Sequence, residues 1–332
     1  MGISLSAAVL QRRLDRGELL LLDGGVGSEL IRRVVYWRSH GLEQDADTVR
    51  ALHGEYLAAG ADVITANTFH LTRRSYLSLF ADRDHMRHIG APGLEARAGQ
   101  LVRRAVALAR EARDASGRQA AIAGSVSPLA HPFRPDLAPP PDQARSEHEE
   151  MIAELAEAGA DLLLLESMNT AAEARAALEA ARAVGLPAWV SFVPRWDGRL
   201  LAGETVAEAV AAVGPLRPGA ILFNCAPPED ITQALGELSL HWRGPSGGYA
   251  QIGRYDPPSW KLTFFPHFTG TEAWPPARYA AAAHHWVALG AQVVGGCCGT
   301  GPGHIRALRE ALAPPASSVK PRTGNREPGT TS

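Results

Sequence analysis

Eight short apolar runs alternate with alanine-rich stretches along most of this chain, and that alternation constrains the fold more than any other feature. The four consecutive leucines at 162–165 lack a polar residue at every second position, as in parallel strands that are buried on both faces. The predicted strands span residues 18–23, 61–65, 119–126, 160–166, 187–193, 220–225, 246–251 and 291–296. The predicted helices span residues 46–60, 92–116, 142–159, 170–184, 203–214, 228–240, 273–290 and 302–314.

A short phrase recurs where predicted helices lead into predicted strands. It reads Ala-Gly-Ala-Asp at 59–62 and at 158–161, and Leu-Gly-Ala-Gln at 289–292. Glycine in this position adopts the left-handed conformation that ends a helix, and a buried strand then starts at once. Gly60, Gly159 and Gly290 are therefore predicted to be helix caps.

Eight strand–helix units before residue 315 predict the α/β class, as a (β/α)8 TIM-type barrel with long loops after strands 3 and 7. An open, doubly wound sheet accounts for the same alternation and stays open as an alternative. The long loops, 127–141 and 252–274, both follow strands, so in a barrel both lie over the C-terminal face, where active sites are built. The predicted domains are the barrel at 1–314 and a disordered, polar, proline-rich tail at 315–332.

The composition excludes several classes of function. A net charge of −2 gives no overall basic field that would draw the chain to nucleic acid or to an anionic membrane. No segment approaches the roughly 20 apolar residues that span a bilayer, and the N-terminus lacks the pattern of a secretory signal. Three cysteines, two of them adjacent, do not make a disulfide framework. We therefore predict a cytoplasmic protein whose partners are small molecules, with homo-oligomerisation left open.

The three cysteines lie at the ends of two predicted strands. Cys225 ends the sixth strand, and Cys297 and Cys298 follow the eighth within a cluster of glycines that permits a sharp turn. Three thiolates with one open position form a catalytic zinc site. Two alternatives stay open, namely buried apolar cysteines and a strained vicinal disulfide. We predict that the three cysteines are the ligands of one Zn²⁺ ion.

Polar residues after other strands would face the same barrel mouth. Asp23 and Gly24 open a glycine-rich loop, followed by the start of a helix, whose N–H groups suit an anionic ligand such as an amino-acid carboxylate. A tight turn capped by Asp23 is the alternative. Glu166 ends a buried strand, where a carboxylate is costly unless it is paired or meets a cationic ligand. An ammonium-binding role is therefore open for Glu166, beside the simpler interpretation of a rim carboxylate bonded to a neighbouring loop.

The segment after the second strand is also polar. Asn67 and Thr68 would face the mouth, and Phe69 is interpreted as a packing residue. For His70, one of 12 histidines, an ordinary loop position is the simpler interpretation.

Together these motifs resemble the homocysteine S-methyltransferase family, which includes betaine-, S-methylmethionine- and methylfolate/cobalamin-dependent enzymes that make methionine. The resemblance spans residues 18–312 and rests on Asp-Gly-Gly at 23–25, Asn-Thr-Phe at 67–69, Gly-Ser at 124–125, Glu166, Asn-Cys at 224–225 and Gly-Gly-Cys-Cys-Gly-Thr-Gly-Pro at 295–302. It implies a barrel with a three-cysteine zinc ion at its mouth. The substrate-binding residues that it implies are Asp23, Gly24 and Glu166 for the amino-acid group of homocysteine, with Asn67, Thr68 and Asn224, the last beside the metal.

The chain departs from the family pattern at three places. Family members often have threonine where this chain has Ala66, which would remove one substrate hydrogen bond. The betaine-dependent branch has a tyrosine, able to cap the zinc, where this chain has His70. Because imidazole is a good zinc ligand, we predict that His70 takes the fourth position when substrate is absent. The Gly-Pro-Tyr-Gly loop of the family is Ser-Pro-Leu-Ala at 127–130, so the wall that faces the methyl donor differs.

The predicted function is zinc-dependent transfer of a methyl group from a small onium donor, S-methylmethionine or S-adenosylmethionine, to homocysteine. Three alternatives stay open: a betaine-type donor, another thiol or selenol as acceptor, and a non-catalytic zinc-binding barrel. Because no cobalamin or folate module is evident in the sequence, we favour a donor that binds directly.

Overall fold

The structure, a computed structural model, describes residues 5–35, 38–78, 93–256 and 267–313. The predicted tail at 315–332 lies outside these residues, as does part of the second long loop. Eight strands of the described chain form one sheet: β1 (Leu20–Leu21), β2 (Val63–Ala66), β3 (Ala121–Val126), β4 (Leu162–Met168), β5 (Ala188–Phe192), β6 (Ala220–Asn224), β7 (Ser246–Ala250) and β10 (Val293–Gly296). Each predicted strand is present, with ends that differ by a few residues.

The sheet closes into a barrel. Its strand order is β1-β10-β7-β6-β5-β4-β3-β2, and every neighbouring pair is parallel. The two outer strands of this order meet through a parallel bridge between Leu22 and Val63. Two further backbone bonds join them, from Asp23 N to the carbonyl of Val63 at 3.1 Å and from Asp62 N to the carbonyl of Leu21 at 2.8 Å. The (β/α)8 prediction is confirmed, and the open doubly wound sheet is wrong.

Helices surround the barrel, as expected for parallel strands that need cover on their outer faces. The described helices are α1 (Ala7–Asp15), α2 (Val26–Arg32), α3 (Ala46–Ala59), α4 (Arg73–Ser78), α5 (Ala98–Ser116), α6 (Pro141–Ala158), α7 (Ala171–Ala183), α8 (Val206–Val213), α9 (Pro228–His241), α10 (Pro276–Ala288) and α11 (Pro302–Ala311). The eight predicted helices correspond to α3 and α5–α11. Within the second long loop, β8 (Arg254–Asp256) and β9 (His267–Thr269) pair antiparallel, which the sequence did not indicate. No helix in the described ranges combines the length and apolarity needed to cross a membrane.

Helix α1, which was not predicted, covers the floor of the barrel. Its Leu10 and Leu14 are buried one turn apart, in the same cluster as inward residues of the strands such as Leu162 and Leu222. The segment is tied to the strands, because the side-chain amide of Gln292 donates to the carbonyl of Leu14. The N-terminal end of the barrel is therefore plugged by apolar side chains.

The recurring Gly-Ala-Asp phrase has two separate roles. Gly60 and Gly159 adopt the predicted left-handed conformation, with φ of 108° and 80°, and end α3 and α6. The aspartates that follow accept hydrogen bonds from the neighbouring strand, Asp62 from Leu21 N at 2.9 Å and Asp161 from Ile122 N at 2.8 Å. Each phrase thus ends a helix and fixes the start of one strand against the next.

Alternate residues of each strand fill the barrel. In β4, Leu162 and Leu164 belong to the inner cluster, whereas Leu163 and Leu165 pack outward. At the C-terminal end the next inward positions become polar, and they are Thr65, Ser125, Glu166, Ser191, Asn224 and Tyr249. The apolar interior therefore ends in a polar layer at the barrel mouth.

Candidate metal and substrate site

Three cysteine thiols meet at the carboxyl ends of β6 and β10. The Sγ atoms of Cys225, Cys297 and Cys298 all lie within 4.8 Å of one another, and those of Cys225 and Cys297 are 2.8 Å apart. None of the three cysteines forms a disulfide in the described structure. Only β7 separates the two strands in the barrel, so the fold itself brings together residues that are 72 positions apart in sequence.

A buried amide holds the end of β6. The Oδ1 atom of Asn224 accepts hydrogen bonds from Ser167 N at 3.1 Å and Ser191 Oγ at 2.7 Å, while Nδ2 donates to Ser167 Oγ at 2.8 Å. The same Nδ2 lies 3.9 Å from the Sγ atom of Cys297. Cys225 follows with φ of 52°, a conformation that costs free energy outside glycine and tends to occur at functional sites.

The two adjacent cysteines begin a tight turn. Both the backbone N–H and the hydroxyl of Thr300 donate to the carbonyl of Cys297, at 3.1 and 2.7 Å. A Cβ atom at Gly296 would lie 2.1 Å from the Thr300 hydroxyl, so a side chain there has no room. Gly299 takes a φ of 86°, which suits glycine. The surrounding glycines thus make the turn that points both thiols toward Cys225.

The chemistry of these sulfurs fits a metal ion. The neighbouring thiols of Cys225 and Cys298, together with burial, raise the pKa of Cys297 well above the usual range of a thiol. Neighbouring thiolates at these distances repel one another, which makes it costly to ionise all three thiols. A cation bound between them offsets that repulsion. Three soft thiolate ligands suit a thiophilic ion such as zinc. The described residues therefore contain one complete three-ligand set.

Asp23 lies at the mouth after β1 and is buried. Both of its carboxylate oxygens accept hydrogen bonds from Thr65, one from the backbone N–H at 2.7 Å and one from the hydroxyl at 2.8 Å. Burial raises the pKa of Asp23 to about 8, although the Thr65 bonds oppose this, and the Glu166 carboxylate adds to the increase. The two carboxylates therefore influence each other across the mouth.

Glu166 occupies the inward position after Leu164 in β4, and a β-bulge lies beside it. The register between β4 and β5 shifts between Leu165 and Met168, and Ser167 has a φ of 58°. The Glu166 carboxylate accepts hydrogen bonds from the Ser125 hydroxyl and, at 3.4 Å, from the Tyr249 hydroxyl. Burial raises the pKa of Glu166 to about 7. No Arg or Lys side chain of the described chain forms an ion pair with Asp23 or Glu166. A cationic ligand bound between the two buried carboxylates would therefore stabilise their ionised forms.

The other predicted substrate residues are held by the protein's own backbone. Asn67 donates its side-chain amide to the carbonyl of His40 at 2.9 Å, and Thr68 donates its hydroxyl to the carbonyl of Ser125 at 2.7 Å. Gly24 lies beside the tight turn that follows β10, where a Cβ atom on Gly24 would be 2.9 Å from the carbonyl oxygen of Thr300. These contacts fix the loops around the mouth.

His70 lies outside the group of ligand atoms formed by the three cysteines. Its Nδ1 atom is 3.2 Å from Ser75 Oγ and 3.3 Å from Ser127 Oγ. Its Nε2 atom is buried and has no hydrogen-bond partner among the described residues. Burial lowers the pKa of His70 to about 3, so the ring is neutral and able to act as a ligand. The resting-state role stays a prediction, and it requires movement of the loop.

Several residues of the site were not found from the sequence, namely Thr65, Ser167, Ser191 and Tyr249. Thr65 and Ser191 occupy the last inward position of a strand, two residues beyond an apolar inward side chain, and Tyr249 lies two residues beyond Gly247 in β7. That period of two is the signal that finds them. Ser167 is different, because it depends on the bulge in β4, for which the sequence has no marker.

Comparison with known proteins agrees with this geometry. A sequence model of the family described as homocysteine S-methyltransferase matches residues 20–312. The chain belongs to the homocysteine S-methyltransferase family. This membership identifies the protein as a methyltransferase and confirms the resemblance inferred from the sequence motifs.

Individual members of the family are similar over nearly their whole length. The homocysteine S-methyltransferase YbgG of Bacillus subtilis is 29% identical over 328 residues, covering 90% of this chain and 96% of YbgG. The Escherichia coli homocysteine S-methyltransferase is 30% identical, covering 90% of this chain and 97% of that protein. The crystal structure of the metallated form of E. coli MmuM superposes with a TM-score of 0.73 at 27% identity, over 91% of this chain and 99% of MmuM.

Proposed function

We propose that this protein is a zinc-dependent S-methyltransferase that moves a methyl group from a small onium donor, S-methylmethionine or S-adenosylmethionine, to homocysteine, giving methionine. The observation that carries the proposal is a three-thiol metal site beside two buried carboxylates that lack a basic partner among the described residues. Homocysteine complements both features, since it offers one thiol and one ammonium group. Family membership supports the acceptor and the reaction type.

Cys225, Cys297 and Cys298 would hold the zinc ion. When bound, zinc lowers the pKa of the homocysteine thiol so that the acceptor sulfur is present as a thiolate at neutral pH. Asn224 steadies this arrangement, because its amide lies 3.9 Å from the Sγ atom of Cys297 and is locked by Ser167 and Ser191.

Asp23 and Glu166 would accept hydrogen bonds from the substrate ammonium group. A cation between them favours their ionised forms and offsets the cost of burying two carboxylates. Gly24 would present its backbone to the amino-acid group of homocysteine. A side chain at that position would collide with the carbonyl oxygen of Thr300 in the cysteine turn. Asn67 and Thr68 would contribute by holding the wall of the mouth, through their bonds to His40 and Ser125.

The transfer itself needs orientation more than acid–base catalysis. The homocysteine sulfur forms a bond to the methyl carbon while the bond from that carbon to the donor sulfonium breaks. The bonding electrons stay on the departing sulfur, which leaves as a neutral thioether and needs no proton. The barrel mouth contributes by aligning the reactants and excluding water.

Two further proposals concern the donor and the setting. Both bacterial relatives are matched over at least 96% of their own length, so barrel-length proteins carry the name homocysteine S-methyltransferase, which supports a donor that binds directly at the barrel. We also propose that the barrel at 1–314 is the working domain, and that the protein acts in the cytoplasm, where free thiols stay reduced.

A donor-by-acceptor activity matrix on zinc-replete protein tests the function. We expect methionine from homocysteine with a sulfonium donor and less methionine when betaine is the donor. When another thiol or a selenol replaces homocysteine, we expect less methylated product. Cys225→Ala should lose zinc and activity together, while Ser239→Ala on α9 serves as a control outside the site. Full zinc and full activity in Cys225→Ala would contradict the mechanism. If none of the donors gave methionine, the assignment of the protein as a homocysteine methyltransferase with a small onium donor would be contradicted. A site that binds zinc but gains no fourth sulfur from homocysteine would indicate a non-catalytic barrel.

A further inference from the structure

A serine of α2 contacts two loops of the site at once. Ser28 is only 2% exposed. Its hydroxyl oxygen accepts a hydrogen bond from Gly299 N at 2.9 Å, and its hydroxyl proton is donated to the carbonyl of Gly25 at 3.1 Å. Gly299 directly follows Cys298, and Gly25 lies two residues after Asp23. One hydroxyl therefore joins the turn with two proposed metal ligands to the loop with a proposed substrate ligand.

The packing around this hydroxyl leaves little freedom. A Cβ atom at Gly25 would lie 2.5 Å from Ser28 Oγ and 2.5 Å from the carbonyl oxygen of Cys297. Gly25 N also donates to the carbonyl of Thr300 at 3.1 Å. The Gly25 backbone is thus enclosed by Ser28 on one side and the cysteine turn on the other. A shift in any of these groups moves the others.

We propose that Ser28 is a positioning residue for the metal centre: it fixes the Gly299 amide and so sets where the Cys298 sulfur lies relative to Cys225 and Asp23. The inference rests on the proposed metal function. Ser28 bonds to the backbone on either side of the site, at the carbonyl of Gly25 and the amide of Gly299, so its effect is transmitted through the turn. Loss of the hydroxyl leaves the Gly299 N–H without its acceptor, and the turn that aims two of the three thiols loosens.

Residues that orient metal ligands without binding the metal usually change affinity by about 10- to 100-fold when they are replaced. We expect a weakening of that size for zinc in Ser28→Ala. Because Gly25 is released as well, the KM for homocysteine should rise while the KM for S-methylmethionine stays close to its original value.

The sharpest test compares Ser28→Thr with Ser28→Val, because these side chains have nearly the same shape and only threonine keeps the hydroxyl. Zinc affinity is measured by competition with a chromophoric chelator, and the site is also loaded with Co²⁺ to record its thiolate charge-transfer absorption. Ser239→Ala is the matched control, since Ser239 Oγ donates to the carbonyl three residues earlier at 2.7 Å, as Ser28 does, but within α9. Thermal unfolding of the metal-free variants checks that each one folds.

We expect Ser28→Thr to bind zinc better than Ser28→Val by about tenfold or more, with Co²⁺ absorption altered in the valine variant. Ser239→Ala should match the wild type. Equal zinc affinity and equal Co²⁺ spectra in the threonine and valine variants would overturn the positioning role, and the metal function would still stand. If the wild type itself bound neither ion at its cysteines, both the proposed function and the role of Ser28 would fail.

Discussion

Glu166 is a single carboxylate whose titration should be visible in the stability of the whole protein. Glutamate titrates near 4.5 in the unfolded chain, and burial raises its pKa to about 7 in the native barrel. The native state therefore holds an extra proton between these values. The contribution of Glu166 to stability is present below pH 4.5 and is lost as the pH rises toward 7, which costs up to roughly 3 kcal/mol.

In Glu166→Gln this loss should disappear. We expect the free energy of unfolding of the metal-free variant to fall less between about pH 4.5 and pH 7 than that of the wild type, by urea titration at several pH values. Glu310→Gln, at an exposed position of α11, is the control for removing a charge. Parallel stability curves for the wild type and Glu166→Gln would show that Glu166 is not held protonated in the native barrel.

His70 offers a second test at the level of one side chain. Its buried Nε2 atom has no hydrogen-bond partner among the described residues, so it is available as a ligand after a movement of the loop. We expect X-ray absorption of the zinc-loaded, substrate-free wild type to show one nitrogen and three sulfur ligands, and His70→Ala to lose the nitrogen. An unchanged spectrum in His70→Ala counts against the resting-state role.

The sequence predicts individual residues well where the chemistry is rare and poorly where it is common. Cys225, Cys297 and Cys298 stand out because the chain has three cysteines and all follow strands. Serines and threonines are abundant, so Thr65 and Ser191 could not be separated from ordinary polar residues without knowing which strand face points inward. The direction of a hydroxyl hydrogen bond depends on contacts across the barrel, which are not local in the sequence.

At the scale of elements, the glycine loop after β1 and the cysteine turn after β10 have to fit against each other. Gly25→Ala would place a methyl group 2.5 Å from the carbonyl oxygen of Cys297. We expect this variant to lose about 1–3 kcal/mol of stability, because overpacking forces the backbone to move. It should also hold less zinc per chain.

Gly236→Ala is the matched control for that substitution. Gly236 lies within α9 and a Cβ atom there would meet nothing within 4 Å, so alanine should stabilise the protein by about 0.4–1 kcal/mol. Urea unfolding and elemental analysis of bound zinc compare the two variants. If Gly25→Ala keeps both wild-type stability and full zinc content, the two loops are not packed as tightly as the structure indicates.

Strands and most helices were predictable because each has a local signal. Apolar runs mark the buried strands, and Gly60 and Gly159 mark helix ends through a conformation that glycine favours. Helix α1 has only nine residues and two buried leucines, so its pattern is too short to separate from a loop. The β8–β9 hairpin depends on pairing between segments on either side of a long connection, which no local pattern specifies.

At the scale of the whole molecule, closure of the barrel depends on contacts that the alternation of strands and helices does not contain. That alternation fits an open sheet equally well. The bridge between Leu22 and Val63 and the plug formed by α1 distinguish the two. Both involve residues near the start of the chain that pack against strands distant in sequence.

The apolar plug formed by α1 should contribute several kcal/mol to the free energy of unfolding. Leu14 is 2% exposed, so Leu14→Ala leaves a cavity at the barrel floor and is expected to destabilise the protein by about 2–5 kcal/mol in urea unfolding. Leu240→Ala removes the same atoms from a residue that is 66% exposed and should change stability by less than about 0.5 kcal/mol. Similar values for the two variants would mean that α1 does not seal the floor.

The sealed floor also bears on the order of events during turnover. With Leu10 and Leu14 filling one end, the described barrel is blind-ended, and both reactants share a single entrance at the opposite rim. In the proposed binding mode the sulfur and ammonium group of homocysteine lie deepest, so homocysteine has to arrive before the donor, and the methionine formed from it can leave only after the demethylated donor has gone. With S-adenosylmethionine as the donor, whose demethylated form differs from methionine, steady-state kinetics should therefore follow an ordered sequence in which added methionine competes with homocysteine and not with the donor.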